Sequence, residues 1–277
     1  NSKFTNFKVH TQYSICEGAI KIPDLANYCK ENKIPSIGIS DNYNLCGALE
    51  FSQEISKVGT QPIIGSQINF KYQDVIAKLP LFAKTEIGFQ NLTKLSSKSY
   101  LDVKENSEPH CLLKDLFEYG KDLIVLSGGI DSLFSKLIQM NKIKNLENII
   151  LDLKKTFPNS FYFEIQRHND TGEKNLENFY LKLSKKSTLP LIASQEVFYI
   201  NKDMFEAHDA LICIGEKRFI SDINRLKYND QHYLKKQEEL KNLYSDIPEA
   251  LENNYNFPYR FHFKINKNEP NLPKIET

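Results

Sequence analysis

The chain has 277 residues, 40% hydrophobic and 26% charged, enough for one large core. Its 36 basic residues are balanced by 35 acidic ones for a net charge of +1, which excludes a global basic signature of nucleic-acid binding. Five cysteines with no CxxC pair (Cys16, Cys29, Cys46, Cys111 and Cys213) exclude a disulfide framework and read as reduced thiols in a cytoplasmic protein.

Strand and helix signals alternate along the chain. Residues 4–10 read as a strand, 22–32 as a helix with Pro23 in its first turn, and 36–40 as a short apolar strand running into Asp41 and Asn42. A helix over 45–58 follows, then strand-like runs at 61–70 and 74–83. Residues 86–100 and 112–119 read as helices, and 122–127 as a buried strand stopping at Gly128 and Gly129. Helices at 130–140 and 146–156, a strand at 160–166, a helix at 173–186 and a strand at 189–194 come next. From residue 203 the pattern is mainly helical, with a final extended piece at 259–265.

About seven strand–helix units, with no Gly-x-Gly-x-x-Gly after any strand, favour a barrel over an open dinucleotide-binding sheet. The expectation is a single-domain α/β fold with a largely parallel, distorted (β/α)7-type barrel. No run of 18 apolar residues predicts a membrane span. The absent initial Met and the polar tail at 266–277 read as a piece of a longer protein, with the domain over 1–265.

In such barrels chemistry sits where strands exit. The exits here carry Lys8 and His10, Asp41 and Asn42, Gln67, Gly128 and Gly129, Gln166 and His168, and Glu196 and Phe198. A strand delivering His10 with Glu17 in the next loop is how a metal-dependent hydrolase begins, but Lys8 stands where a His-x-His pair would complete the clamp. A lysine offers donors only and repels a divalent cation.

Several stretches resemble the PHP (polymerase and histidinol phosphatase) domain, in the form found at the N-terminus of bacterial replicative DNA polymerase III alpha subunits. They include VHTQYSICEGAIKI at 9–22, IGISDNYNLCGALEF at 37–51 and QPIIGSQINF at 61–70. LFAKTEIGFQNLTKLSSKSY at 81–100, LIVLSGG at 123–129 and FEIQRH at 163–168 continue the match. LPLIASQEVFYI at 189–200, FEAHDALICI at 205–214 and DIPEALENN at 246–254 complete it. The resemblance implies a phosphoesterase-like site holding several metals on about nine His, Asp, Glu or Cys side chains. Here its His-x-His is Lys8-Val9-His10 and its Asp-His pair is Asp41-Asn42. Its strand glutamate is Gln67, a later histidine is Lys78, the Cys or His after Leu-Ser-Gly is Gly129, and its Asp-x-His is Glu196-Val197-Phe198. Only His10 and Glu17 match, with Asp41 and Glu196 as acidic neighbours, so the resemblance points to a degenerate metal site without catalytic residues. The lysines at positions 8 and 78 are expected to pair with Glu17, Asp41 and Glu196 in place of the metals.

The resemblance further implies a DNA-directed DNA polymerase in the full protein, with Mg2+ in a polymerase core outside this chain. It implies DNA and other replicative subunits as partners, with this segment as a docking module for a separate 3′–5′ proofreading exonuclease. The alternative is a working phosphoesterase or 3′–5′ exonuclease on a reduced set of His10, Glu17, Asp41 and Glu196. Read without the resemblance, His10 is a hydrogen-bonded strand-end histidine, His168 a surface loop residue, and Ser127-Gly128-Gly129 a tight strand-to-helix turn. Lys182, Lys185 and Lys186 form a solvated helix face. Ser14, Cys16 and Cys46 show no pairing of nucleophile and base in the sequence.

Overall fold

The computed structural model describes residues 2–14, 18–101, 103–216, 228–263 and 265, residues 215 and 216 by their backbone. The strands are β1 (Lys8–Val9), β2 (Ser36–Asn42), β3 (Gln61–Tyr72), β4 (Val75–Ala83), β5 (Cys111–Leu112), β6 (Leu123–Leu126), β7 (Phe161–Gln166), β8 (Leu191–Ser194) and β9 (Glu196–Val197). Between and after them come α1 (Ile22–Glu31), α2 (Ala48–Lys57), α3 (Glu86–Leu101), α4 (Leu113–Tyr119), α5 (Leu133–Gln139), α6 (Ile143–Thr156), α7 (Glu173–Ser187), α8 (Phe205–Glu216), α9 (Gln237–Leu243) and α10 (Pro248–Asn256).

The strands form one sheet in the order β8-β7-β6-β4-β3-β2-β1-β9, with β5 beside β3. Its two ends are consecutive in the chain, separated by Gln195 alone, so the sheet curls into a nearly closed eight-strand barrel of the expected class. Most neighbours are parallel, but β4 runs antiparallel to both β3 and β6. The link from Tyr72 to Val75 is too short for a crossover and turns through Gln73 at φ 53°.

Helix formation follows the apolar spacing. Leu146, Ile149, Ile150 and Leu153 line one buried stripe of α6 at i, i+3, i+4 and i+7, as Ile22, Leu25, Ala26 and Cys29 do on α1. Strand alternation then divides the core in two. Phe161, Phe163 and Ile165 of β7 and Leu79, Leu81 and Ala83 of β4 face the helices. Tyr162, Phe82, Ile124 and Ile192 point into the barrel and pack with Phe7 and Phe257. Phe7 meets Phe82 at 5.5 Å and Phe257 at 4.3 Å between ring centres, so one end of the barrel is plugged by aromatic rings. The site occupies the other end.

Three expectations about elements are corrected. The first strand is only two residues long, because Phe4 and Thr5 satisfy their backbone N–H groups on the side chains of Gln237 and Asn254. The final extended piece begins as a 3-10 turn, Phe257–Arg260, entered by Phe257 and Pro258. Helix α5 starts at Leu133 rather than at residue 130, capped by the Ser132 hydroxyl. The tail at 266–277, Cys16 and Glu17 lie outside the described residues. Among those described, no helix is long and apolar enough to cross a membrane, and Cys29, Cys46, Cys111 and Cys213 form no disulfide.

Candidate functional site

Residues of alternating parity on β1 point inward, so Lys8 and His10 enter the barrel while Val9 joins the helix-facing core. The Lys8 ammonium, fully buried, lies 3.1 Å from Glu164 Oε2 and 3.8 Å from Glu196 Oε1. Glu164 also accepts from the Gly128 N–H at 3.0 Å and from the Gln166 amide at 3.1 Å. Glu196 accepts from Gln67 at 2.6 Å and from His10 Nε2 at 3.0 Å. Burial alone would raise the Glu196 carboxyl, but Lys8, the His10 bond and Lys78 outweigh it and hold the group well below the usual carboxylate range.

Lys8, His10, Gln67 and Glu196 therefore meet, and the Phe198 ring closes over His10 with centroids 4.6 Å apart. Asp41, Lys78 and Gly129 also have partners outside this group of four. Asp41 turns to Thr11, accepting from its N–H at 2.6 Å and its hydroxyl at 2.5 Å, and burial pushes its carboxyl up. Lys78 lies 2.6 Å from Asp131 and 3.3 Å from the Asn42 amide oxygen. The expected lysine pairing thus holds between Lys8 and Glu196, and among the described residues Lys78 also forms an ion pair with Asp131, which was not expected. The expected partner Glu17 lies outside the described residues. Gly129 leaves room for Gln166, since a Cβ there would sit 2.5 Å from its Oε1. Gly128 is in the left-handed region at φ 83°, and its N–H is committed to Glu164, which makes this a structural turn.

Sequence reasoning missed Glu164, Asp131 and the fate of His168. Glu164 shares parity with Tyr162 and Gln166 on β7, and a glutamate on the inward face of a buried strand was the available signal. His168, expected on the surface, is 1% exposed. Its Nδ1 faces Glu173 at 2.9 Å, and its Nε2 accepts from the Glu196 N–H at 3.1 Å. Glu173 also accepts from the His168 N–H, and burial pushes its carboxyl up to about 8. Burial, His232 and Lys235 hold the His168 imidazole well below its ordinary value.

Four of the six histidines gather here. The Phe198 ring lies 4.6 Å from His10, 5.2 Å from His208 and 5.0 Å from His232, and His168 stacks on His232 at 4.0 Å and 15°. His168, Asp170 and His232 bring potential ligand atoms within 4.8 Å of one another. Stacked rings send their nitrogen lone pairs out in parallel planes, not toward one point. The His168 nitrogens are occupied by Glu173 and Glu196, while His232 Nδ1 donates to the Glu196 carbonyl at 2.8 Å and Nε2 meets Asp170 at 2.6 Å. The arrangement fastens residues 228–235 to the barrel.

The sequence profile of the PHP domain matches residues 6–168. The chain is 37% identical to the DNA polymerase III subunit alpha of Borreliella burgdorferi, over 99% of this chain and 25% of that protein. It is 33% identical to that of Caulobacter vibrioides, over 99% and 25%. It thus spans about a quarter of the length of these relatives. A solved structure from Bifidobacterium adolescentis, of a protein assigned to the metal-dependent phosphoesterases, shares the fold with TM-score 0.50 and 11% identity, covering 71% of this chain and 88% of that one. With more than half its length matched by the profile, the chain belongs to the PHP domain family.

Proposed function

We propose that this chain is the PHP module of a cytoplasmic bacterial replicative DNA polymerase of the alpha-subunit type, serving as a metal-free scaffold and docking unit. The supporting observation is the Lys8 ammonium, buried between Glu164 and Glu196 at 3.1 and 3.8 Å. A divalent cluster needs anionic or imidazole ligands to offset its charge. Among the described residues the convergent groups are an ammonium, an amide, an imidazole bonded on both nitrogens, and carboxylates already neutralised by Lys8. Such a donor set does not fit the family's metals. The reduced-ligand phosphoesterase reading would require Asp41 to release Thr11 and Glu196 to release Lys8.

In this reading polymerisation, with its Mg2+, belongs to a core outside this chain, and the partners are DNA, other replicative subunits and a separate 3′–5′ proofreading exonuclease. Elemental analysis for zinc, manganese and iron on protein purified without chelator tests the first half. Near-zero stoichiometry is expected, and one or more tightly held metals per chain would overturn it. Titration with the organism's own proofreading exonuclease tests the second half, which fails without a complex.

A further inference from the structure

With Lys8 taking the place of a metal, His10 is left wired to two protein groups. The Asn42 N–H donates to Ser14 Oγ at 2.9 Å, which leaves the single Ser14 proton for His10 Nδ1, 3.0 Å away. Nδ1 is then the acceptor, and the ring's own proton sits on Nε2 and is donated to Glu196 Oε1 at 3.0 Å. Gln67 donates to the same carboxylate oxygen at 2.6 Å and fixes its position. A hydroxyl, an imidazole and an ionised carboxylate stand in series, the order that activates a serine.

We propose that Ser14 is a metal-independent nucleophile, with His10 as its base and Glu196 as the carboxylate that orients the base, acting on small acyl esters. Ester rather than phosphate follows from charge. A phosphate would bring negative charge beside Glu164 and Glu196, whose neighbouring cation Lys8 is already shared between them. Small follows from access, since Ser14 is 5% exposed and His10 fully buried. In the reaction Ser14 Oγ bonds the carbonyl carbon as its proton passes to His10 Nδ1. The tetrahedral species expels the alcohol, which carries that proton away. Water then attacks the acyl-serine, gives a proton to Nδ1, and the acid leaves as Ser14 Oγ takes the proton back.

The proposal goes beyond the scaffold reading and rests on its metal-free half, since a metal held by His10 would take a nitrogen the series needs. Elemental analysis tests that half, and labelling of metal-free protein tests the proposal itself. Its test is to treat the folded wild-type chain with an alkyl fluorophosphonate and map the adduct by peptide mass spectrometry, with p-nitrophenyl acetate as a second probe. A phosphonyl group on Ser14, formed with loss of fluoride, is expected, together with p-nitrophenol release that Ser14→Ala removes. His10→Gln, with unchanged circular dichroism, is expected to slow labelling about a hundredfold. An unlabelled Ser14 in folded wild-type protein, under conditions that label a serine esterase, overturns the proposal. So does labelling of His10→Gln at the wild-type rate.

Discussion

Lys8 and Glu196 face each other across the seam of the barrel. They are register partners on the parallel pair β1–β9, and their charges lie 3.8 Å apart with Glu164 completing the cluster from β7. Removing the cation leaves two carboxylates in a buried space. Lys8→Met is expected to cost about 3–5 kcal/mol, read from the urea midpoint at constant m. Lys8→Met with Glu164→Gln should recover part of this, because the amide still accepts from Gly128 without needing a counter-charge. A double mutant that loses the sum of the single effects would show that the two residues are not coupled.

The donor set can be rebuilt. Lys8→His, Asn42→His, Gln67→Glu and Phe198→His together place imidazoles and a carboxylate at four positions around His10 and Glu196. The combined variant is expected to retain about one zinc per chain after desalting, where the wild type retains none. Elemental analysis of both proteins, with circular dichroism as the check on folding, decides it. Equal metal content in the two would contradict the proposed role of Lys8.

Much of this was legible in the sequence. Two strand-like runs at 61–70 and 74–83, too close for a helix between them, already contain the hairpin that makes β4 antiparallel. The ten positions set against the family's ligand motifs were named from the PHP resemblance, eight of them at strand exits, with Glu17 in a loop and Lys78 within a strand-like run. Glu164 was harder to see because it sits inside its strand, two residues before the Gln166 exit. Asp131, just before α5, reaches Lys78, and Glu173, at the start of α7, reaches His168; no local pattern specifies which carboxylate meets which side chain. Ser14 and His10 are four residues apart, yet their contact depends on the turn closed by the Ser14 N–H on the Thr11 carbonyl.

The pH dependence of stability should carry opposite signs from two glutamates. Glu173, pushed up to about 8, binds more protons folded than unfolded between its ordinary value near 4.5 and 8. Its contribution is therefore present in acid and is lost as pH rises to about 8. Glu196, held low by Lys8 and His10, contributes above the ordinary glutamate value and loses that contribution as pH falls through its lowered value. Urea denaturation at about pH 5.5, 7 and 8.5 should show a decline that Glu173→Gln flattens. An unchanged slope in the variant would assign the decline elsewhere.

Arg167 joins the barrel to the C-terminal helices. It pairs with both Asp246 oxygens at 2.6 and 3.0 Å and with Glu177 at 2.7 Å, donates to the Leu243 carbonyl at 2.9 Å, and lies 5.6 Å from the Tyr244 ring centre. Arg167→Ala is expected to cost about 2 kcal/mol and to speed amide exchange in α9 and α10 before α3. Arg167→Lys should recover little, because an ammonium cannot reproduce the planar two-pronged contact. Uniform acceleration across all helices would argue against a local clamp.

The way the N-terminal strand is held bears on how the chain is made. Thr5 is anchored by Asn254, 249 residues away, and β1 pairs with β9 at Glu196 and Val197. A ribosome delivers the N-terminus first, at about 5–20 residues per second. Strand β1, made before β2 to β9, must therefore wait for nearly the whole domain to emerge before two of its lasting partners exist. During that interval Phe4, Phe7 and Val9 are exposed apolar side chains on an unpaired segment. A trigger-factor-type chaperone, or slowed translation near residue 200, would act on this stretch more than on any later strand.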